Sequence, residues 1–166
     1  MSIGVFYGST NGNTQEVAKK IADSLKATLY DVGSLKGTEA LQAHDVLILG
    51  TSTWYDGELQ DDWDSYLLEL KKVDLTNKKV AFFGLGDQEG YGSDFVSGMR
   101  MIYDVALAQG ANILGAWDDE GYVYEHSASI INGKFVGLVL DEENQSELSD
   151  TRIAQWCSQL QVALEA

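Results

Sequence analysis

The sequence predicts an α/β fold: a doubly wound, five-stranded parallel sheet with helices on both faces and an insertion that splits the last strand. Three observations predict it. Short β-prone runs alternate with segments whose apolar residues recur at helical spacing, the pattern of consecutive βα units. Two runs, "VLILGT" (46–51) and "VAFFGL" (80–85), are continuously apolar, as strands buried on both faces are. The alternation breaks once, after Ala116, and a strand returns at 135–140.

In chain order, residues 3–7 form the first strand and run into "GSTNGNT" (8–14). Val17, Ile21 and Leu25, with Ala18 and Ala22 beside them, mark one face of a helix starting at Thr14. Residues 29–32 make a second strand, 46–51 a third and 80–85 a fourth. Trp63, Tyr66, Leu67 and Leu70 form a helical stripe between the third and fourth. Phe95, Met99, Ile102, Val105 and Ala106 form another, which Gly110 ends. Residues 113–116 start the last strand. Residues 117–134 are the insertion, with Asn132-Gly133 signalling a hairpin turn. Residues 135–140 resume the strand. A final helix starts at Ser149 or Asp150, both suitable N-caps, and buries Ile153, Trp156, Cys157, Leu160 and Leu164. The crossovers are expected to be right-handed. With no proline, the turns rely on 17 glycines and on Asn, Asp and Ser.

At 166 residues and 45% apolar content, the chain reads as one domain, residues 1–166, with a real core. No apolar run is long enough for a membrane span, and no basic segment precedes a long apolar stretch at the N-terminus. The lone Cys157 allows no internal disulfide. The expected location is the cytoplasm. Eleven basic residues against 26 acidic ones give a net charge of −15, which argues against nucleic acid and anionic membranes as partners. Residues 37–70 and 80–99 contain no Lys or Arg. That acidity is either a solvated surface or a face for a basic protein.

Ligands of open parallel sheets sit beyond the carboxyl ends of the strands. Three such ends carry informative loops. In "GSTNGNT" the hydroxyls of Ser9, Thr10 and Thr14 and the unpaired N–H groups of the following helix can bind an anion without Lys or Arg. Gly12 lets the backbone wrap closely. The alternative is a loop that only caps the helix. The loop lacks the Lys of a Walker motif and the spacing of a dinucleotide fingerprint. The second loop, "STWYDG", and the third, "GDQEGYG", present Trp54 and Tyr91. Each ring is either a core anchor or one wall of a site for a flat ligand. His44 and His126 form no metal pattern, and no nucleophile–base grouping is evident.

Together, "GSTNGNT", "TWYDGELQDDW", "GLGDQEGYGSDF" and "GKFVGLVLDEENQ" resemble the flavodoxins, of the long-chain type, over essentially the whole chain. The resemblance implies a tightly but noncovalently bound FMN and low-potential, one-electron transport. By that resemblance Ser9, Thr10, Asn11, Gly12, Asn13 and Thr14 would hold the phosphate. Thr53 would lie along the ribityl chain, and Trp54 and Tyr91 would flank the isoalloxazine. Backbone groups of Asp87, Gln88 and Gly90 would meet its pyrimidine edge. The Tyr55–Asp56 peptide would turn a carbonyl toward flavin N5, with Gly57 easing that rotation and favouring the neutral semiquinone.

Two positions depart from the family pattern: Asn11 replaces a hydroxyl residue, and Ser52 stands where a proline is common. The implied partners are basic redox proteins such as a NADP-dependent ferredoxin/flavodoxin reductase, with acceptor reductases or nitrogenase downstream, met by a monomer in transient complexes. The competing readings are a quinone reductase of the same fold, which would need an open ring face, and a module that has lost FMN.

Overall fold

The computed structural model describes residues 1–54 and 57–165. The elements are β1 (Ile3–Tyr7), α1 (Asn13–Leu25), β2 (Thr28–Asp31), α2 (Glu39–Gln42), β3 (Val46–Trp54), β4 (Glu58–Leu59), α3 (Asp61–Leu70) and β5 (Lys79–Leu85). They continue with α4 (Ser97–Ala108), β6 (Asn112–Ile113), β7 (Trp117–Asp118), β8 (Ile130–Ile131), β9 (Lys134–Phe135), β10 (Leu138–Leu140) and α5 (Ser149–Glu165).

The main sheet runs β2-β1-β3-β5-β10, all parallel, so the chain winds outward in both directions from β1 and β3. Strand alternation then sorts the core into two layers. Val5, Ile48, Ala81, Phe83, Leu138 and Leu140 pack with Val17 and Ile21 of α1 and with Ile153, Trp156 and Leu160 of α5. Phe6, Leu47, Leu49, Phe82 and Val139 face the other way, onto Trp63, Tyr66 and Leu70 of α3 and Met99 and Ile102 of α4. The free Cys157 is buried in the first layer.

The split of the last strand is visible in the register. β6 pairs with Lys79 and Val80 at the amino end of β5. β10 pairs with Phe83, Gly84 and Leu85 at its carboxyl end. The chain between them leaves the sheet and forms a second, antiparallel sheet in the order β7-β9-β8. Its aromatic side seals onto the core: Tyr122 meets Phe135 edge-on at 5.4 Å, and Phe95 lies 5.4 Å from Tyr124. The Tyr122 hydroxyl donates to the Val139 carbonyl and accepts from Trp117 Nε1 at 3.0 Å, and burial pushes its pKa up to about 12. The Arg152 guanidinium stands 4.1 Å from the centre of the same ring.

Several boundaries differ from the sequence reading. Val32 leaves β2 for a short 3₁₀ turn, where the Asp31 side chain accepts from Gly33 N–H. Phe95 lies outside α4, because Val96 takes a left-handed conformation (φ 48°) and the helix starts only at Ser97. The strand expected at 113–116 stops at Ile113, since Gly115 at φ 84° turns the chain away. Phe135 belongs to the hairpin closed by Asn132 and Gly133, both at positive φ, and the main-sheet strand resumes at Leu138. The short β4 hairpin on β3 and the four-residue α2 have no period long enough to show in the sequence.

At the amino end of the sheet, His44 is buried between Ser2 and Tyr30, whose hydroxyls meet its two ring nitrogens. Burial, then the Lys78 charge, pushes its pKa below the ordinary histidine value, against a weaker upward pull from Asp45. A group with a lowered native pKa stabilises the fold fully above its unfolded pKa of about 6.5 and loses that contribution as the pH falls. Wild type should therefore lose more stability than His44→Gln between neutral and mildly acidic pH in thermal melts. Equal slopes in the two proteins would contradict this.

Candidate ligand-binding cleft

The carboxyl ends of β1, β3, β5 and β10 open onto one cleft of about 140 Å³. Asn11, Asn13 and Thr14 line it from the loop after β1, and Ser52, Thr53 and Trp54 from the end of β3. Leu85, Gly86, Asp87 and Tyr91 close the β5 side, and Glu142 and Glu143 the β10 side. Among the described residues, the lining carries three carboxylates and no Lys or Arg.

The loop after β1 is shaped to leave donors free. Gly12 is the residue before α1 and sits at φ 92°, a conformation that costs other residues energy. It offers α1 no side-chain cap, so the first-turn N–H groups get no acceptor from it. A Cβ on Gly12 would meet nothing within 4 Å, so there is open space over the turn. The loop holds itself by local bonds: Gly12 N–H donates to Ser9 Oγ at 3.0 Å and Asn13 N–H to Asn11 Oδ1 at 3.2 Å. Backbone N–H groups, hydroxyls and a helix dipole, with no cation, form a donor set that fits a phosphate.

Trp54 extends from the last residue of β3, and its Nε1 donates to Ser52 Oγ at 2.7 Å. Tyr91 is half exposed, at 50% of its surface, and faces the same cleft. Thr53 Oγ1 accepts from Gly98 N–H at 2.8 Å, so this hydroxyl also satisfies the amino end of α4. Tyr55 and Asp56, expected to present a carbonyl to the ligand, lie outside the described residues. Gly57 follows them at φ 89°.

The Tyr91 loop is tied down from below. Asp87 Oδ1 accepts from Gly90 N–H (2.7 Å), Asn144 Nδ2 (2.8 Å) and Glu89 N–H (3.1 Å). The Gly90 bond leads in holding the Asp87 carboxyl below its usual range, helped by the Asn144 and Glu89 bonds and opposed by burial. Gln88 is buried and bridges two elements. Its N–H and Nε2 both donate to Asp141 Oδ2 (3.1 and 2.7 Å), and its Oε1 accepts from Val123 N–H of the insertion at 2.7 Å. The fully buried Asp141 also accepts from Asn144 Nδ2 (2.8 Å) and from two backbone N–H groups, those of Glu143 and Asn144.

Of the residues singled out in the sequence, Asn11, Asn13, Thr14, Thr53, Trp54, Asp87 and Tyr91 line the cleft together. Ser9, Thr10, Gly12, Gly57, Gln88 and Gly90 are not among the residues that line it. The backbone N–H groups of Gln88 and Gly90 are spent on Asp141 and Asp87. Glu142, Glu143 and the Asp141–Asn144 tether were missed. For Glu142 and Glu143 the signal was present: "DEENQ" follows the last strand and so falls at the same sheet edge as the other loops.

The family model described as Flavodoxin matches residues 5–156. This chain belongs to the flavodoxin family. A flavodoxin of Haemophilus influenzae is 40% identical over 161 residues, 95% of this chain and 92% of that one. One from a Nostoc species is 43% identical over 161 residues, 95% and 94% of the two chains. The crystal structure of Fusobacterium nucleatum flavodoxin bound to flavin mononucleotide superimposes with a TM-score of 0.92 at 34% identity, covering 98% of each chain. The sheet order and the divided edge strand of this chain are set by the pairings described above.

The tether under Tyr91 gives a direct expectation. In Asn144→Ala both Asp87 and Asp141 lose a donor, which should lower stability by about 1–3 kcal/mol. The urea midpoint should fall while the m-value holds. An unchanged midpoint would show that the tether carries no stability.

Proposed function

We propose that this flavodoxin binds one FMN noncovalently in the cleft and carries electrons one at a time between a reductase and acceptor redox proteins. The observation that carries the reading is the convergence on one cleft of an uncapped helix N-terminus with neutral donors and two aromatic rings, Trp54 and Tyr91. The relative from Fusobacterium nucleatum, crystallised with flavin mononucleotide, supports it. When bound, FMN supplies the one-electron chemistry. The protein is an electron-transfer flavoprotein rather than an enzyme with its own substrate.

The chain's own residues divide the binding. Ser9, Thr10, Asn11, Gly12, Asn13 and Thr14 hold the phosphate through hydroxyls, amides and backbone N–H groups. Trp54 and Tyr91 take the faces of the flat ring and exclude water from it. Thr53 contacts the chain between ring and phosphate, and Tyr55, Asp56, Gly57 and the 87–90 turn border the ring edge. Asp87, Glu142 and Glu143 oppose added negative charge in the cleft, which favours a low potential.

The same acidity suits basic partners: a NADP-dependent ferredoxin/flavodoxin reductase as donor, and acceptor reductases or nitrogenase as takers. The protein would meet them in the cytoplasm as a monomer in transient complexes. No helix of the described residues is long and apolar enough to cross a membrane.

The apoprotein should take up one FMN per chain, quenching its fluorescence, and the loaded protein should accept electrons in two separate one-electron steps. Electron transfer from a basic reductase should slow as salt rises beyond the low-salt range, by about tenfold or more between 0.01 and 0.5 M. Failure to bind FMN would overturn the cofactor reading. A single two-electron step would favour a flavin enzyme, and a salt-independent rate would remove the basic partner.

A further inference from the structure

We propose that Gln60 is a positioning residue for the phosphate site: its side-chain amide fixes the Thr10 hydroxyl so that its hydrogen points to the bound anion. This inference rests on the FMN reading above. Gln60 lies at the start of α3, is only 2% exposed, and belongs to none of the three ligand loops.

Its amide has one possible orientation. Oε1 accepts from Trp63 N–H at 3.2 Å, the cap of α3, so that end must be the oxygen. Nε2 lies 3.1 Å from Asp62 Oδ2, a carboxylate oxygen that can only accept from it, so that end must be the NH₂. The second hydrogen of the same NH₂ then goes to Thr10 Oγ1 at 3.2 Å. Thr10 is therefore an acceptor toward Gln60, and its own O–H hydrogen is left for another acceptor. Thr10 is exposed on the loop whose donors stand uncapped before α1, where a phosphate oxygen is the acceptor that fits.

The backbone makes room for this arrangement. A Cβ on Gly8 would lie 2.2 Å from Gln60 Oε1 and 2.9 Å from Trp63 Cδ1, so only glycine at the start of the loop lets Gln60 reach across it. Trp63 Nε1 donates to Gly50 O at 2.7 Å, and Gly8 N–H donates to the same carbonyl at 3.3 Å, which holds α3, β3 and the loop in register. Gln60 thus links the amino end of α3 to the phosphate loop.

The test compares FMN with riboflavin, which lacks the phosphate, as ligands of the apoprotein. In wild type the ratio of the two affinities reports the phosphate site. Gln60→Glu keeps an oxygen for Trp63 N–H but turns the donor toward Thr10 into an acceptor, so the Thr10 hydrogen is drawn away from the phosphate. FMN affinity should fall by about tenfold or more, while riboflavin affinity changes by less than about twofold. Gln60→Met, which removes the donor without adding charge, should move the ratio in the same direction. Gln60→Met should not shift it further in a Thr10→Val background, whereas Gln60→Glu keeps the part of its effect that comes from charge alone.

Equal losses for both ligands, or an unchanged ratio, would reduce Gln60 to a helix cap and overturn the proposal. If the Gln60 variants do not fold, Thr10→Val decides alone: an unchanged ratio would show that its hydroxyl gives nothing to the phosphate. A wild type that binds FMN no better than riboflavin would instead overturn the phosphate assignment itself.

Discussion

With FMN bound as proposed, the carboxyl edge of the sheet has to meet an electrostatic constraint: an anion held by a chain of net charge −15 whose cleft lining, among the described residues, includes Asp87, Glu142 and Glu143 but no Lys or Arg. The interaction proposed to meet it is the one between the ligand's anion and the amino end of α1, which Gly12 leaves without a side-chain cap. A helix end supplies partial positive charge and several N–H groups without a formal cation. Gly12 withholds a cap, and Ser9 and Asn11 hold the loop open by bonds to its own backbone. In that proposal the surrounding carboxylates are left to act on the rest of the ligand and on basic partners.

Two buried amides give the ligand loops their rigidity, and they work in the same way. Gln60 joins the phosphate loop to α3, and Gln88 joins the Tyr91 loop to Asp141 and the insertion. Each uses its oxygen on a backbone N–H and its NH₂ on a carboxylate. A buried amide without such partners would cost about 1–3 kcal/mol, so each bridge resists displacement as a unit. The insertion, seated through Tyr122, Tyr124 and Phe135, thereby becomes part of the support for Tyr91 rather than a detached excursion.

The sheet was legible because its evidence is local. Runs such as 46–51 and 80–85 need no partner to read as doubly buried strands, and Asn132-Gly133 encodes its own turn. The three loops at the strand ends were legible because strand order in a parallel sheet dictates where a ligand goes. Phe95 was misassigned because its spacing fits the α4 stripe, while the left-handed Val96 that separates it leaves no mark in the periodicity. Gln60, Asp141 and Asn144 were illegible for a different reason. A polar residue becomes a tether only through partners far away in sequence, such as Asp87 for Asn144 or Thr10 for Gln60.

The central claim, a phosphate held at α1 by neutral donors, is tested most directly by the ³¹P resonance of bound FMN as the pH is lowered. Hydrogen-bond donors aimed at the charged form keep a group ionised below its ordinary pKa. The bound phosphate should therefore stay dianionic, its resonance unmoved, from about pH 8 to about pH 5, through the region near 6 where an exposed phosphate monoester titrates. A resonance that titrates near pH 6, as free FMN does, would place the phosphate in solvent and contradict the assignment of "GSTNGNT" as its cradle.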